Sequence, residues 1–452
     1  MHYEKFQDGT IKCIEDEIPF EVPEGWAWAR LRDICMMSAG KSKSTDQIKS
    51  EPFEGSYPCF GGNGVRGYVD EYNQDGIFSI VGRQGALCGN INIAIGKFYA
   101  TEHAVVTTLF DGIDFKWSNY ILEALRLNNY ATGAAQPGLS VANILNVFVP
   151  VPPTQEQDRI GNNVYESLKI VEALEQEKID LQKIIITAKT KILDLAIRGK
   201  LVPQDPNDEP ASVLLERIRT EKEELIKQGK IKRDKKESVI FKGDDNSYYE
   251  KLPDEKINCI DKQLPFELPD GWKWCNLSMI GTTNIGLTYR PADIDTQGII
   301  VLRSCNIVND RINRTDLVRV KTSIRENQFV QKDDILICAR NGSRSLVGKC
   351  ALIPELAEKV SFGAFMAVYR TPYFSYIVHF LRSNFFRSVF DDSNSTAINQ
   401  LTQDMLKRAV VPLPPLAEQL RIVDKITELF ERLNCIEGRV KKREFFHSSF
   451  CL

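Results

Sequence analysis

Residues 3–31 read YEKFQDGTIKCIEDEIPFEVPEGWAWARL, and residues 249–277 read YEKLPDEKINCIDKQLPFELPDGWKWCNL. Aligned without gaps, the two segments are identical at 15 of 29 positions. The tryptophans of PFEVPEGWAW, Trp26 and Trp28, align with Trp272 and Trp274 of PFELPDGWKW. A likeness this dense indicates an internal duplication, which has to be recognised before any local motif because it fixes the architecture.

A second pair of similar segments lies further along each copy. Residues 150–160 read PVPPTQEQDRI and residues 412–422 read PLPPLAEQLRI, identical at seven positions. Each copy therefore consists of a first border, a variable block, a second border and a helix. The two variable blocks, 32–149 and 278–411, share little beyond a few glycines. Alike borders predict a common structural role, and unlike blocks predict different binding specificities.

Each variable block combines short β-type runs with turn signals. Residues 76–100 and 334–353 are typical of strands interrupted by glycine, and residues 59–69 of two strands joined by a Gly/Asn turn. The amphipathic stretches 118–127 and 374–390 predict helices. Each block is therefore expected to form a compact mixed α/β domain.

After each Pro-rich border the apolar residues take up a helical period. Heptad positions counted from Val164 and from Ser167 are apolar in eight of ten cases as far as Leu195, which predicts a coiled-coil seam on a helix from about 155 to 198. Thr154 and Gln157 have the spacing of a capping box. The second copy repeats the seam from Ile422. Since an apolar seam needs a partner, we expect the two helices to pair in antiparallel orientation.

The predicted fold class is α+β, with two mixed α/β domains joined by two long antiparallel helices in a pseudo-two-fold internal repeat. The predicted segments are a first domain at 1–153, a central helix at 154–200, a linker returning to the second repeat at 201–262, a second domain at 263–415 and a C-terminal helix at 416–452. The linker is assigned from its high content of Lys, Glu, Asp and Pro.

Composition limits the classes of function. The 452 residues suffice for two to four domains, and the net charge of −3 gives no global attraction to nucleic acid or anionic lipid. The 11 cysteines are scattered singly, as expected of reduced thiols in a cytoplasmic protein. No run approaches 18 apolar residues, so neither a membrane span nor a secretory signal is expected.

No catalytic or metal-binding signature survives inspection. Ala39-Gly40-Lys41-Ser42 ends like a phosphate loop, but Cys35 stands at the position that this loop reserves for glycine. Residues 253–256 (PDEK) lie in a hydrophilic stretch, where solvated carboxylates are expected. The four histidines lack metal-ligand spacing, and no tetrapeptide suited to holding a flipped adenine is present. The sequence predicts a binding protein with no catalytic residue and no metal ligand.

Charge and side-chain type indicate local DNA binding. Residues 286–350 contain 11 Lys or Arg and seven acidic residues, whereas residues 30–110 contain eight of each. Arginine binds guanine edges bidentately, and glutamine or asparagine binds adenine. The predicted DNA-binding residues are Arg66, Arg83, Gln84, Lys97 and Gln136 in the first domain, and Arg290, Arg303, Arg340, Asn341, Arg344, Lys349 and Gln400 in the second. For each of them, ordinary solvent exposure remains the alternative.

The borders, the two PxPPxxEQxRI segments and the helix end ILDLAIRGKLVPQDP (192–206) together resemble the specificity subunit of Type I restriction-modification systems. The resemblance implies two target-recognition domains on two conserved helices, each domain reading one half of a bipartite site in double-stranded DNA. It implies two modification subunits that methylate adenine with S-adenosylmethionine. Restriction subunits would add ATP- and Mg²⁺-dependent translocation and cleavage, all in a prokaryotic cytoplasm, and this chain would hold no cofactor itself.

Other functions remain open at the level of sequence. A non-enzymatic scaffold, with helices that bind proteins and domains that bind a ligand other than DNA, is favoured by the neutral charge of the first domain. A stand-alone nuclease or methylase would need motifs that the sequence lacks. Alignment of the borders places Cys451 opposite Lys189, so the second copy shows no counterpart of residues 195–204. This shorter helix is either functional as it stands or weak in partner binding.

Overall fold

The structure is a computed structural model that describes residues 1–85, 87–133, 137–231, 233, 238–252, 254–391 and 400–448. The chain divides into two compact units, residues 1–177 and 178–452, and the boundary falls inside a long helix. Within the described residues, no helix combines the length and the apolar character needed to cross a bilayer.

The first unit contains ten strands and three short helices, followed by the start of the long helix. The strands are β1 (Tyr3–Lys5), β2 (Ile11–Cys13), β3 (Ala27–Arg30), β4 (Cys35–Ala39), β5 (Tyr57–Gly61), β6 (Gly64–Val69), β7 (Gln74–Gly82), β8 (Ile91–Ala100), β9 (Ala104–Leu109) and β10 (Phe148–Val151). The helices are α1 (Leu31–Ile34), α2 (Phe115–Ala124), α3 (Val141–Ile144) and the long helix α4 (Thr154–Ile197).

Six strands of the first unit form one mixed sheet, in the order β4-β9-β7-β8-β5-β6. All neighbours are antiparallel except β5 and β8. Alternate side chains of the central strands enter two apolar clusters, because successive strand residues point to opposite faces. Val81 and Val105 pack with Trp117 of α2, whereas Ile80 and Val106 pack in the other cluster. Each face of the sheet therefore carries an apolar cluster.

The described residues of the second unit form the rest of α4, six further helices and 14 strands. The helices are α5 (Ala211–Lys227), α6 (Leu277–Ile280), α7 (Phe374–Arg382), α8 (Asn384–Asp391), α9 (Gln403–Arg408) and α10 (Leu416–Ser448). The strands are β11 (Val239–Lys242), β12 (Tyr248–Lys251), β13 (Ile257–Cys259), β14 (Lys273–Asn276), β15 (Thr282–Ile285), β16 (Ile294–Leu302), β17 (Ile307–Val308), β18 (Arg311–Ile312), β19 (Val318–Val320), β20 (Ile335–Cys338), β21 (Cys350–Leu352), β22 (Val360–Phe362), β23 (Met366–Arg370) and β24 (Val410–Leu413).

The variable block of the second unit follows the sheet plan of the first, although the sequences are unlike. Its described strands form the two larger sheets β15-β23-β20-β21 and β22-β16-β19, in which β16 and β22 are parallel, and the two-stranded sheet β17-β18. If β21 and β22 are read as the two ends of a single strand, this order reproduces β4-β9-β7-β8-β5-β6. The prediction of two mixed α/β domains is confirmed, and the likeness extends into the blocks themselves.

Matching backbone hydrogen bonds fix which residues are equivalent. In the first domain, the bonds are Gly40 N to Ala104 O, Lys41 N to Ala100 O, Thr101 N to Phe60 O, Arg83 N to His103 O and Leu139 N to Arg83 O. Their counterparts in the second domain, in the same order, are Gly286 N to Met366 O, Leu287 N to Phe362 O, Gly363 N to Leu302 O, Ala339 N to Phe365 O and Leu401 N to Ala339 O. Gly40 and Gly286 are among the few shared glycines. A Cβ on either one would lie 2.1–2.2 Å from a carbonyl oxygen of the neighbouring segment.

The repeated borders attach each domain to the start of a long helix. In the first copy β3 pairs with β10, and Trp26 Nε1 donates to Glu156 Oε2 of α4 at 3.2 Å. In the second copy β14 pairs with β24, and Trp272 Nε1 donates to Glu418 Oε2 of α10 at 2.9 Å. Burial raises the pKa of Glu418, and the bond from Trp272 partly opposes that shift. Trp26 and Trp272 thus join the base of each domain to the start of a long helix.

The predicted capping box at the start of α4 is wrong. The Gln157 side chain donates to Pro152 O at 2.9 Å and accepts from Asp114 N at 2.8 Å, while the Thr154 hydroxyl donates to Gly112 O at 3.1 Å. Gln419 makes the same bond to Pro414 O at 3.0 Å in the second copy. The shared glutamine is therefore needed to satisfy the carbonyl of the Pro-Pro turn.

The long helices confirm the predicted pairing over part of their length. In the second unit Leu193 and Ile197 of α4 pack in one cluster with Ile422 and Ile426 of α10, and Lys189 Nζ lies 3.2 Å from Glu437 Oε2. Position numbers fall on one helix as they rise on the other, so this contact is antiparallel.

Two residues of the predicted seam lie on the part of α4 that belongs to the first unit. Val171 and Leu174 are exposed, with relative accessibilities of 45% and 55%.

Two further departures from the sequence-based predictions concern helices. The hydrophilic stretch proposed as a linker includes α5, whose buried Leu214 and Leu215 join the main core of the second unit. The stretch 374–390 forms two helices instead of one, because the Ser383 hydroxyl donates to Phe380 O at 2.6 Å and accepts from Phe386 N at 3.3 Å. The spacing of apolar residues alone did not predict the packed helix α5 or the break at Ser383.

Candidate nucleic-acid interface

A glycine-lined cleft opens at one end of the first domain's sheet. Its volume is about 600 Å³, and it is lined by Gly61, Gly62, Asn63, Gly64, Val65, Arg66, Gln84, Gly85, Leu87 and His103. These residues come from the β5–β6 turn, from the segment after β7 and from the residue before β9. Gly64 has φ +87, a conformation that suits glycine and allows the tight turn between the two strands. We call this feature the glycine-lined cleft.

The glycine-lined cleft brings together two predicted residues, Arg66 and Gln84. Arg66 is exposed and donates from Nη2 to Thr45 Oγ1 at 3.1 Å. Gln84 is exposed, pairs through its backbone with Gly138, and its side-chain amide has no hydrogen-bond partner among the described residues. Arg83 precedes it and connects β9 to the segment before α3 through its backbone N–H and carbonyl.

One predicted residue of the first domain, Lys97, does not join this group. Lys97 lies opposite Asp75 at the beginning of β7, whereas Arg83 follows the end of that strand. Eight residues of extended chain separate the two positions by about 26 Å. The Lys97 ammonium instead lies 4.6 Å from the centre of the Tyr72 ring. Gln136 falls outside the described residues.

The equivalent edge of the second domain brings together Arg303, Arg340, Asn341 and Gln400, and we call it the arginine-lined edge. Arg340 pairs through its backbone with Gln400, as Gln84 does with Gly138. Asn341 Nδ2 donates to Ser304 Oγ at 3.2 Å, which joins the segment after β20 to the segment after β16. Arg303 is partly neutralised because its Nη2 donates to Asp316 Oδ2 at 2.9 Å.

The remaining predicted residues of the second domain differ in position. Lys349 is near the arginine-lined edge, since its carbonyl accepts from Cys338 N at 2.8 Å at the end of β20. Arg344 lies in the exposed loop between β20 and β21. Arg290 precedes β16, so it lies at the end of that strand opposite Arg303, where its backbone N–H donates to Asp293 Oδ2 at 2.7 Å.

Two residues at these edges were missed from sequence. His103 lines the cleft, its Nδ1 is buried without a hydrogen-bond partner among the described residues, and its Nε2 lies 3.6 Å from Glu102 Oε1. Phe365 occupies the equivalent position in the second domain and is 60% exposed, and the Arg340 guanidinium lies 5.5 Å from its ring centre. A lone histidine and a lone phenylalanine carry no sequence signal, because only the pairing of strands places them beside Gln84 and Arg340.

One group of potential metal ligands lies elsewhere, near the N-terminus. Ligand atoms of His2, Glu15 and Glu21 lie within 4.8 Å of one another, with both carboxylates exposed. Glu15 accepts from the His2 backbone N at 2.7 Å and lies 3.2 Å from its Nδ1. These contacts explain the cluster as a structural, hydrogen-bonded contact between the first hairpin and the turn that follows it.

Comparison with known proteins identifies the family. Residues 23–188 and 269–443 each match the Type I restriction modification DNA specificity domain, so the domain occurs twice and covers most of the chain. The chain therefore belongs to the family of Type I restriction-modification specificity subunits, and the resemblance seen in the borders is confirmed.

One similar protein matches nearly the whole of this chain, and another matches about a third of it. The EcoAI specificity subunit of Escherichia coli is 26% identical over 511 residues, covering 97% of this chain and 83% of the relative. The EcoprrI specificity subunit of Escherichia coli is 45% identical over 151 residues, which cover 33% of this chain and 36% of the relative.

Solved structures confirm the fold. The HsdS subunit from Thermoanaerobacter tengcongensis aligns with a TM-score of 0.51 at 15% identity, covering 95% of this chain and 96% of that one. A chain from a structure concerning complex assembly and conformational transition of the type I R-M system aligns with a TM-score of 0.59 at 15% identity, covering 96% and 97%.

Proposed function

We propose that this chain is the DNA-reading subunit of a Type I restriction-modification complex and recognises a bipartite duplex site, one half per domain. The observation that carries the proposal is that the two domains share one backbone arrangement but present different side chains at equivalent edges. Gln84 and His103 stand in the first domain where Arg340 and Phe365 stand in the second. A shared scaffold with unlike edges is what two different half-sites require.

The DNA-binding residues predicted from sequence enter this proposal in two groups. The first group lies at or beside the two edges and would contact bases or nearby phosphates. It consists of Arg66, Arg83, Gln84, Arg303, Arg340, Asn341, Lys349 and Gln400. Lys97, Arg290 and Arg344 lie elsewhere and would contact the phosphate backbone at most. Phosphate contacts fix orientation and make binding salt-dependent, whereas base contacts determine sequence.

The proposal assigns catalysis to partner subunits. Two modification subunits would bind this chain and methylate adenine with S-adenosylmethionine, and restriction subunits would supply the ATP- and Mg²⁺-dependent steps. The long helices would bind these partners and set the spacer between the half-sites. The exposed apolar residues of α4, including Val171 and Leu174, support a protein-binding role for that helix.

Mapping of methylated adenines tests the proposal. The chain is expressed together with its modification subunit in cells that lack other adenine methylation, and methylation is mapped across the genome. We expect one motif made of two short specific sequences separated by a spacer of constant length. A continuous short motif, or methylation of the same motif when this chain is left out, would contradict the proposal.

A second measurement separates DNA reading from a scaffold role. The purified chain is titrated with duplex DNA that carries the mapped motif and with a scrambled duplex at several salt concentrations. We expect tighter binding to the motif and a steep loss of affinity with salt. Equal and salt-independent binding of both duplexes would favour the scaffold.

A further inference from the structure

The matching hydrogen bonds make specific side chains of the two domains comparable one by one. Arg83 N donates to His103 O, whereas Phe365 O accepts from both Ala339 N at 2.9 Å and Arg340 N at 3.0 Å. Leu139 N donates to Arg83 O as Leu401 N does to Ala339 O, which selects the register in which Gln84 is equivalent to Arg340. The isolated bridges of Gln84 with Gly138 and of Arg340 with Gln400 agree with this equivalence. Sequence alignment alone could not have paired a glutamine with an arginine in blocks that share so little.

Both side chains are available for a ligand. Gln84 lines the glycine-lined cleft, and its side-chain amide makes no hydrogen bond within the described part of the chain. The Arg340 guanidinium has no carboxylate within ion-pair distance among the described residues and lies 5.5 Å from the centre of the exposed Phe365 ring. Arg303, by contrast, already pairs with Asp316 at 2.9 Å. Gln84 and Arg340 are therefore better placed than Arg303 to read a base.

The glycines explain why a base edge can approach Gln84. Gly61 and Gly85 line the cleft without side chains. A Cβ built on Gly85 would meet no atom within 4 Å, and one on Gly61 would meet only the Arg66 side chain at 3.7 Å. The space above these residues is open, so the cleft can admit a base edge to the Gln84 amide.

We propose that Gln84 and Arg340 read equivalent positions of the two half-sites, Gln84 by contacting an adenine and Arg340 by contacting a guanine. This inference rests on the proposed function and deepens it. A glutamine amide matches the N6 and N7 edge of adenine, and a guanidinium matches the O6 and N7 edge of guanine. Phe365 holds the Arg340 guanidinium by cation–π contact, and His103 occupies the corresponding place beside Gln84.

Reciprocal substitutions test the assignment. Gln84→Arg and Arg340→Gln are each expressed with the modification subunit, and methylated adenines are mapped as for the parent chain. We expect Gln84→Arg to change one adenine of the first half-site to guanine and Arg340→Gln to change one guanine of the second half-site to adenine. The other half-site and the spacer stay the same in each case. An unchanged motif in both variants, or a change in the wrong half-site, would overturn the inference.

Matched controls use the same substitutions away from the edges. For Gln74→Arg, the residue lies on β7 at the end opposite the segment that carries Gln84. For Arg219→Gln, the residue lies on α5, outside the variable block of the second domain. Both should leave the methylated motif unchanged. If a control changes the motif as much as the test variant, the edge position carries no special role and the inference fails.

A binding measurement covers variants that lose methylation altogether. The parent chain and the Gln84→Ala variant are each titrated with two duplexes. One carries the parent motif, and the other differs from it only at the adenine of the first half-site that is assigned to Gln84. The parent should discriminate between these duplexes by roughly 5- to 150-fold, the range of one bidentate base contact, and the variant should lose that discrimination. Retained discrimination would overturn the inference while leaving the bipartite motif intact. Absence of any bipartite motif from the parent would instead overturn the proposed function.

Discussion

The ion pair between Asp334 and Arg370 shows how the second domain stabilises its central strands. Asp334 is 1% exposed and accepts from Arg370 Nε at 2.6 Å, from Arg370 Nη2 at 2.7 Å and from Gln331 N at 2.7 Å. We expect Asp334→Ala to lower the free energy of unfolding by about 2 to 3 kcal/mol, because it leaves a half-buried guanidinium unpaired. Chemical denaturation of the variant measures this loss. Glu358→Gln, at the exposed pair with Arg319, should cost less, and an equal cost would contradict this account.

His379 predicts a pH dependence of stability. Burial, reinforced by the nearby charge of Arg382, lowers its pKa from 6.5 to about 3, and its ring lies against Phe430 of α10. As the pH falls below about 6.5 the unfolded chain binds a proton that the folded chain does not, so stability is lost by up to roughly 1.4 kcal/mol per pH unit. His379→Leu should flatten the dependence of unfolding free energy on pH between 6.5 and 4. Parallel curves for parent and variant would count against the prediction.

At the scale of single residues, the sequence shows the type of each side chain but not its position in the domain. Side-chain type alone selected Arg66, Gln84, Arg340 and Gln400 as candidate DNA-binding residues. The strands bring these residues to two equivalent edges. Lys97 was selected on the same grounds but lies at the other end of the sheet. Nothing in a single sequence tells which end of a strand faces a ligand, because that depends on the strand order.

At the scale of elements, the end of α4 depends on one glycine. Gly199 has φ +65 and follows the last helical turn, where Lys200 N donates to Leu195 O at 2.8 Å. A Cβ at this position would lie 2.5 Å from Pro269 Cγ and 3.1 Å from Trp272 Cζ2. We expect Gly199→Ala to lower the free energy of unfolding by about 1 to 3 kcal/mol, through both the left-handed backbone and the clash with the second border.

A glycine in an open part of a helix gives the control for that prediction. A Cβ at Gly438 of α10 would meet no atom within 4 Å. Gly438→Ala should therefore raise stability by about 0.5 to 1 kcal/mol, because alanine has the higher helix propensity. Both variants are compared by denaturant unfolding monitored by circular dichroism. Equal effects of the two substitutions would show that the clash with Pro269 is unimportant.

The elements that the sequence predicted well are those with long, regular periodicity. The range 155 to 198 differs by one residue at each end from the helix Thr154–Ile197. The break at Ser383 and the packed helix α5 were not predicted, because a serine hydroxyl and a charged amphipathic stretch give no distinct signal. Propensity and period describe a helix, but local hydrogen bonds and tertiary packing decide where it stops.

At the scale of the whole molecule, the duplication predicts that the variable blocks are exchangeable. Leu31 N donates to Val147 O and Leu277 N donates to Ala409 O, so these four residues mark equivalent junctions beside the paired border strands. A hybrid in which residues 31–147 are replaced by residues 277–409 would carry the second recognition domain twice. Because the borders and helices stay native, its attachment to both helices should be preserved.

The hybrid should convert an asymmetric motif into a symmetric one. If each domain reads its own half-site, two copies of the second domain should direct methylation to a motif in which both specific parts are the second half-site, with the spacer length unchanged. Methylation mapping gives the motif, and circular dichroism with thermal unfolding shows whether the hybrid folds, since α5 covers part of this block in its native place. A folded hybrid that keeps the parental first half-site would place base reading in the borders or helices and would refute assignment of specificity to the variable blocks.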